Sequence, residues 1–202
     1  MRRARRGVLA ALALLALAAP AAHANPAYRS VIDAVRPPAP GLKLQVLGFD
    51  QNLQLVNDTG KVVVIRGYDG EPYARLLPDG TVQVNRNSPA AYLNEDRFGT
   101  AKPPASAGAD APVAWRTVNR SGRFVWHDHR MHWMSTSTPP AVTDESRRTR
   151  VLDYTVPLDV GGRRTTVHGT LWWVGLPGGG MPAGAVIALV LLALAAVALV
   201  LV

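Results

Sequence analysis

Residues 124–134 read Phe-Val-Trp-His-Asp-His-Arg-Met-His-Trp-Met, and three of the five histidines of the chain fall within six positions there. On a β-strand, His127 and His129 point to the same face, with Cα atoms ~6.5–7 Å apart. Two imidazoles at that separation can chelate one metal ion, because a neutral imidazole nitrogen bonds at ~2 Å. His132 joins them only if the chain bends after His129. Met131 and Met134 add soft thioethers, which suit copper(I). Asp128 and Arg130 are placed to orient the ligand rings from behind. On this reading His127, His129, His132 and Met134 form a copper or zinc site.

The same residues support a plainer reading. Trp126, Trp133, Met131 and Met134 are equally suited to a core, with the histidines as hydrogen-bonded polar residues at a strand end. Asp128 and Arg130 then form a structural ion pair, and Arg130 bonds backbone carbonyls of a neighbouring loop. A His-x-His pattern does not decide between the two. A hydrolase is not expected: no Ser or Cys nucleophile motif accompanies the Asp-His pairs, and no His-Glu-x-x-His helix is present. The expectation is a binding or assembly module of the cell envelope that does not catalyse, with copper or zinc binding or delivery through His127, His129 and His132 as the alternative.

Other residues carry weaker signals. His168 lies on the last hairpin and could approach the 127–132 patch in space. Trp126, Trp133, His168 and Tyr92 are candidates for a binding surface. Tyr68, Tyr73 and Tyr92, with Asn85, Asn87 and Asn94, could line a polar groove for a sugar or peptide. They serve equally as turn and edge residues.

The elements that would position this patch follow from the pattern of apolar residues. Periodicity along the middle of the chain is two, not 3.6. Alternating or β-rich segments cover residues 42–47, 53–56, 61–66, 72–77, 81–85, 115–118, 123–126, 150–160 and 165–174. Asn57-Asp58-Thr59-Gly60, Asp69-Gly70, Asp79-Gly80 and Gly161-Gly162 supply turns between them. Val62-Val63-Val64-Ile65 suits a strand buried on both faces. Residues 88–93 can form one turn of helix, and residues 100–112 read as a surface loop. Seven to nine closely spaced strands without a long helix predict an all-β fold, an antiparallel Ig-like β-sandwich over residues 42–176. Residues 25–41, with Pro26, Pro37, Pro38 and Pro40, read as an extended arm ahead of it.

The two ends are unlike the middle. Of the 202 residues, 48% are hydrophobic, but 17 of the first 24 and 19 of the last 20 belong to that class. Residues 1–24 combine a basic stretch ending at Arg6, an apolar stretch from Gly7 to Ala19, and Ala22-His23-Ala24 as a cleavage site before Asn25. This is the pattern of a secretory signal peptide. Residues 183–202 form an uncharged apolar run, ~30 Å long as a helix, which matches the hydrocarbon thickness of a bilayer. Residues 177–182 form a Gly/Pro linker to it. The expected topology is a single-pass protein of the cell membrane, with the ectodomain on the extracytoplasmic side. Its expected partners are the membrane, through residues 183–202, and a metal ion or an envelope protein or glycan.

Charge excludes one class of partner. The formal charge of +8 includes Arg2, Arg3, Arg5 and Arg6, so the remainder carries 18 − 14 = +4. That is too little for a nucleic-acid-binding domain to be expected. Cysteine is absent, so neither disulfides nor thiolate ligands are available.

Several segments together resemble known proteins. Tyr68-Asp69-Gly70-Glu71-Pro72-Tyr73, Ser88-Pro89 with Tyr92-Leu93-Asn94-Glu95-Asp96, and Trp126-His127-Asp128-His129-Arg130 with His132-Trp133-Met134 resemble an uncharacterised actinobacterial family of exported, membrane-anchored proteins. That resemblance implies an envelope location and no activity. The last hairpin is similar in rhythm to the end of copper-resistance CopC-like Ig sandwiches. That family has an Asp-Gly-His turn where this chain has Gly161-Gly162-Arg163, so its copper ligands do not carry over to the hairpin.

Overall fold

The computed structural model describes residues 26–175 and Leu192. The proposed signal peptide, the linker and the apolar run apart from Leu192 lie outside the described residues. Among the described residues, no helix is long and apolar enough to cross a membrane.

The fold is all-β and antiparallel. Its elements, in order, are β1 (Tyr28–Arg36), β2 (Leu42–Leu47), β3 (Asn52–Asn57), β4 (Val63–Arg66), β5 (Pro72–Leu76) and β6 (Val82–Asn85). There follow α1 (Ala90–Leu93), β7 (Trp115–Asn119), β8 (Arg123–Trp126), a 3-10 helix (His129–Met131), β9 (Thr149–Val160) and β10 (Arg163–Trp173). One sheet has seven strands in the order β1-β10-β9-β4-β5-β6-β7, and the other has three in the order β2-β3-β8.

The sheets face each other across the main core, and Ala27, Tyr28, Val142, Leu171 and Trp173 form a second, smaller cluster. Leu53 and Leu55 of β3 and Phe124 and Trp126 of β8 meet Val63, Ile65, Leu76, Val156, Leu158 and Val167 of the larger sheet. Leu53 and Leu55 are fully buried, and burial of each such side chain stabilises the fold by ~1.5–3 kcal/mol. Polar alternation follows the pleat: in β3 the residues alternate between half-buried and buried along the whole strand. The Gly161-Gly162 pair takes φ of 57° and 80°. Both are left-handed values, as a tight hairpin turn between β9 and β10 requires.

Two features differ from the expectation. The stretch read as an arm outside the sandwich contains β1, which pairs with β10 from Tyr28 opposite Trp173 to Arg36 opposite Thr166. The prolines do not oppose this, because Pro26 precedes the strand and Pro37, Pro38 and Pro40 follow it. Tyr28 and Ser30 turn inward and are buried, with Tyr28 edge-on to Trp173 at 5.2 Å. Second, β4 is buried on one face only: Val63 and Ile65 are fully buried, while Val62 before the strand is exposed.

Candidate metal centre

The centre is built where β8 ends. Trp126, 4% exposed, fixes that end, its ring stacked on Phe124 with centroids 5.5 Å apart. Its indole N–H donates to Asp128 Oδ2 at 2.8 Å. Asp128 is fully buried and caps the 3-10 helix by accepting the Arg130 backbone N–H at 3.1 Å. The Arg130 side chain closes on the same carboxylate, with Nε 2.8 Å from Oδ1 and Nη2 2.7 Å from Oδ2. Arg130 also reaches the Arg66 carbonyl at 3.2 Å. Burial pushes the Asp128 carboxyl up, but the hydrogen bonds and charge of Arg130, with the Trp126 bond, carry it below the ordinary carboxylate value. The structural ion pair and the carbonyl bond anticipated for Arg130 are therefore present.

This capped turn supplies the bend that His132 needs. Met131, fully buried in the core, pins the helix, and the chain leaves it extended at His132. The rings of His127, His129 and His132 converge, with centroids 5.3 Å (127 to 129), 4.4 Å (127 to 132) and 5.5 Å (129 to 132) apart. One ring nitrogen from each lies within 4.8 Å of the others, so the three can hold a metal ion. The metal and core readings are thus not exclusive here: Trp126, Met131, Asp128 and Arg130 build the frame, and the histidines line its mouth.

Each ring is held from behind by a backbone carbonyl and not, as expected, by Asp128 or Arg130, whose side chains bond each other. His127 Nδ1 donates to the Gln51 carbonyl. His132 Nδ1 donates to the Trp133 carbonyl at 3.1 Å, and His129 Nε2 donates to the Asp96 carbonyl at 2.9 Å. A carbonyl accepts only, so each neutral ring turns its other nitrogen toward the group, Nε2 on His127 and His132 and Nδ1 on His129, and the Arg97 backbone is a second hydrogen-bond partner of the His127 ring. The Nε2 atoms of His127 and His132 face each other at 2.7 Å. Two bare lone pairs repel at that distance unless a proton or a metal ion lies between them. Burial disfavours the proton. It is the largest cause pushing His132 down to about 3 and His127 below its ordinary value, and the nearby charge of Arg97 adds to both.

The supports come from distant segments. His129 stacks on Tyr68 at 5.7 Å, and its backbone N–H donates to the Tyr68 hydroxyl at 2.9 Å. Tyr68 in turn donates to Asn94 Oδ1. The Asp96 carboxylate gathers the backbone N–H groups of Phe98, Thr100 and Ala101, which closes the loop that presents its carbonyl to His129. Within that loop Gly99 has φ of 63°, and a Cβ there would lie 2.7 Å from His129 Cε1. Arg97 reaches the fully buried Asp50, with Nη2 2.6 Å from Oδ2. This ion pair ties the segment presenting the Gln51 carbonyl to the one presenting the Asp96 carbonyl.

The other candidate residues differ in burial and partners. Met134 is 41% exposed, because the chain after His132 runs out to the surface. Trp126 is core rather than binding surface. Trp133 is half-buried, with its indole N–H on the Ser137 carbonyl at 2.7 Å. His168 falls between buried Val167 and Gly169, on the outer face of β10 opposite Thr155 and Ala34. Tyr92 braces α1 by donating to the Arg86 carbonyl at 2.9 Å. Tyr68 and Asn94, noted as groove lining, instead support His129. Residue type and spacing do not announce the contributions of Asp50, Gln51, Asp96, Arg97 and Gly99 to the site. Only Asp96 and Gly99, as turn-forming types before Thr100, left a trace in the sequence. Compared with known protein families, curated proteins and solved structures, the chain matches none.

Proposed function

We propose that this protein is a metal-binding protein of the cell envelope, in which His127, His129 and His132 hold one zinc(II) or copper(II) ion. The observation that carries the reading is the facing pair of Nε2 atoms, each on a ring whose other nitrogen is spent on a carbonyl. A carbonyl behind a ligand histidine fixes its tautomer and its direction toward the metal. The pair would open from 2.7 Å to ~3.3 Å around an ion bonded tetrahedrally at ~2 Å. Imidazole-only donors suit zinc and copper and do not suit magnesium or calcium, which take oxygen. The built frame favours this reading over a general partner-binding module. The envelope address rests on residues 1–24 and 183–202, and we read the two-sheet frame as an Ig-like sandwich.

The test is equilibrium titration of the purified full chain with zinc(II), copper(II) and copper(I) against a competing chelator. One ion per chain is expected, bound tighter than micromolar, with binding lost in His127→Ala/His129→Ala. Binding that is weaker, or unchanged in that variant, overturns the proposal.

A further inference from the structure

We infer that the metal centre takes a small anion from solution, of the carboxylate or oxyanion class, as its fourth ligand. The inference rests on the metal reading above and concerns what completes the site.

Charge is the first argument. Three neutral imidazoles backed by three neutral carbonyls leave the two positive charges of the ion uncompensated. A bound divalent cation is then the largest local charge, and it selects its remaining ligand by sign.

The second argument is the engagement of the nearby carboxylates. Asp128 spends both oxygens on Trp126 Nε1 and on Nε, Nη2 and the backbone N–H of Arg130. Asp50 spends both on Arg97. Asp96 is occupied by Phe98, Thr100 and Ala101. Among the described residues, the cluster of His, Cys, Asp and Glu donors around this point stops at three. Three protein ligands leave one position of a tetrahedron for an outside ligand.

Exposure gives the direction. His132 is 1% exposed and forms the floor, while His127 and His129 are partly exposed and form the rim. The outside ligand therefore enters from the solvent side.

The experiment loads the purified full chain with cobalt(II), whose visible bands report its ligands. Sodium azide, sodium acetate and sodium phosphate are then titrated in at constant ionic strength. A saturable band shift with each, and displacement of azide by acetate, is the expected result. Bands that form on cobalt loading and stay unmoved by all three anions overturn the inference and leave the metal reading standing. Absence of cobalt bands overturns the inference, and the zinc and copper titration above decides the metal reading separately. A metal-dependent change of oligomeric state, read by sedimentation, also overturns it, because a donor from another chain would then fill the position.

Discussion

His127 and His132 turn their Nε2 atoms toward each other at 2.7 Å, and each commits its Nδ1 to a backbone carbonyl, of Gln51 and Trp133 respectively. The fold thus sets a half-buried and a buried imidazole in a tautomer that suits a cation and repels in its absence.

The first consequence is stabilisation by metal. A ligand that binds only the folded state at a hundredfold excess over Kd adds about 2.7 kcal/mol. For a domain of this size, saturating zinc should raise Tm by ~5–10 °C. Thermal melts with and without zinc check this, and His127→Ala/His129→Ala should abolish the gain.

The second concerns pH. His132 is held down to about 3 and His127 is lowered, both chiefly by burial, whereas histidines of an unfolded chain titrate near ~6.5. Below that value the unfolded chain binds protons that the folded one refuses. The stabilising contribution is therefore complete above ~6.5 and lost as pH falls toward the folded values. Urea midpoints of the metal-free protein should decline from neutral to mildly acidic pH. In His127→Gln/His132→Gln the decline should flatten, and an unchanged slope would assign it to other groups.

Asp128 organises the turn, and its removal leaves Arg130 with a half-buried charge that has lost its carboxylate. Asp128→Ala should cost ~3–5 kcal/mol, as breaking one side of a buried ion pair does. Chemical denaturation measures the loss. Asp128→Asn, which keeps the cap but not the charge, should cost less.

Gly99 makes a local prediction. Gly99→Ala meets both an unfavourable φ of 63° and His129 Cε1 at 2.7 Å. It should weaken metal binding by at least ~10-fold, as disturbing the support of a ligand does. The left-handed φ also costs ~1 kcal/mol for a residue with a Cβ, so the urea midpoint should fall modestly as well. Equal affinity for wild type and variant would mean that His129 is not a ligand.

Much of the frame was legible because period-two alternation and Gly turns report strands directly. Nine segments identified on that basis correspond to β2 through β10. β1 was hidden by the prolines around it, although Tyr28 to Arg36 contains none. The three histidines were legible by type, and so was the Asp128–Arg130 pair. Their supports were not, since the oxygens of Gln51, Trp133 and Asp96 are backbone atoms that any residue carries. Nor could spacing show that Asp50 would find Arg97, 47 positions away.

The most direct test of the central claim is X-ray absorption on the zinc-loaded full chain. The account predicts three imidazole nitrogens at ~2.0–2.1 Å and no sulfur. A shell without imidazole scattering, a sulfur at ~2.3 Å, or the same spectrum from His127→Ala/His129→Ala would contradict it.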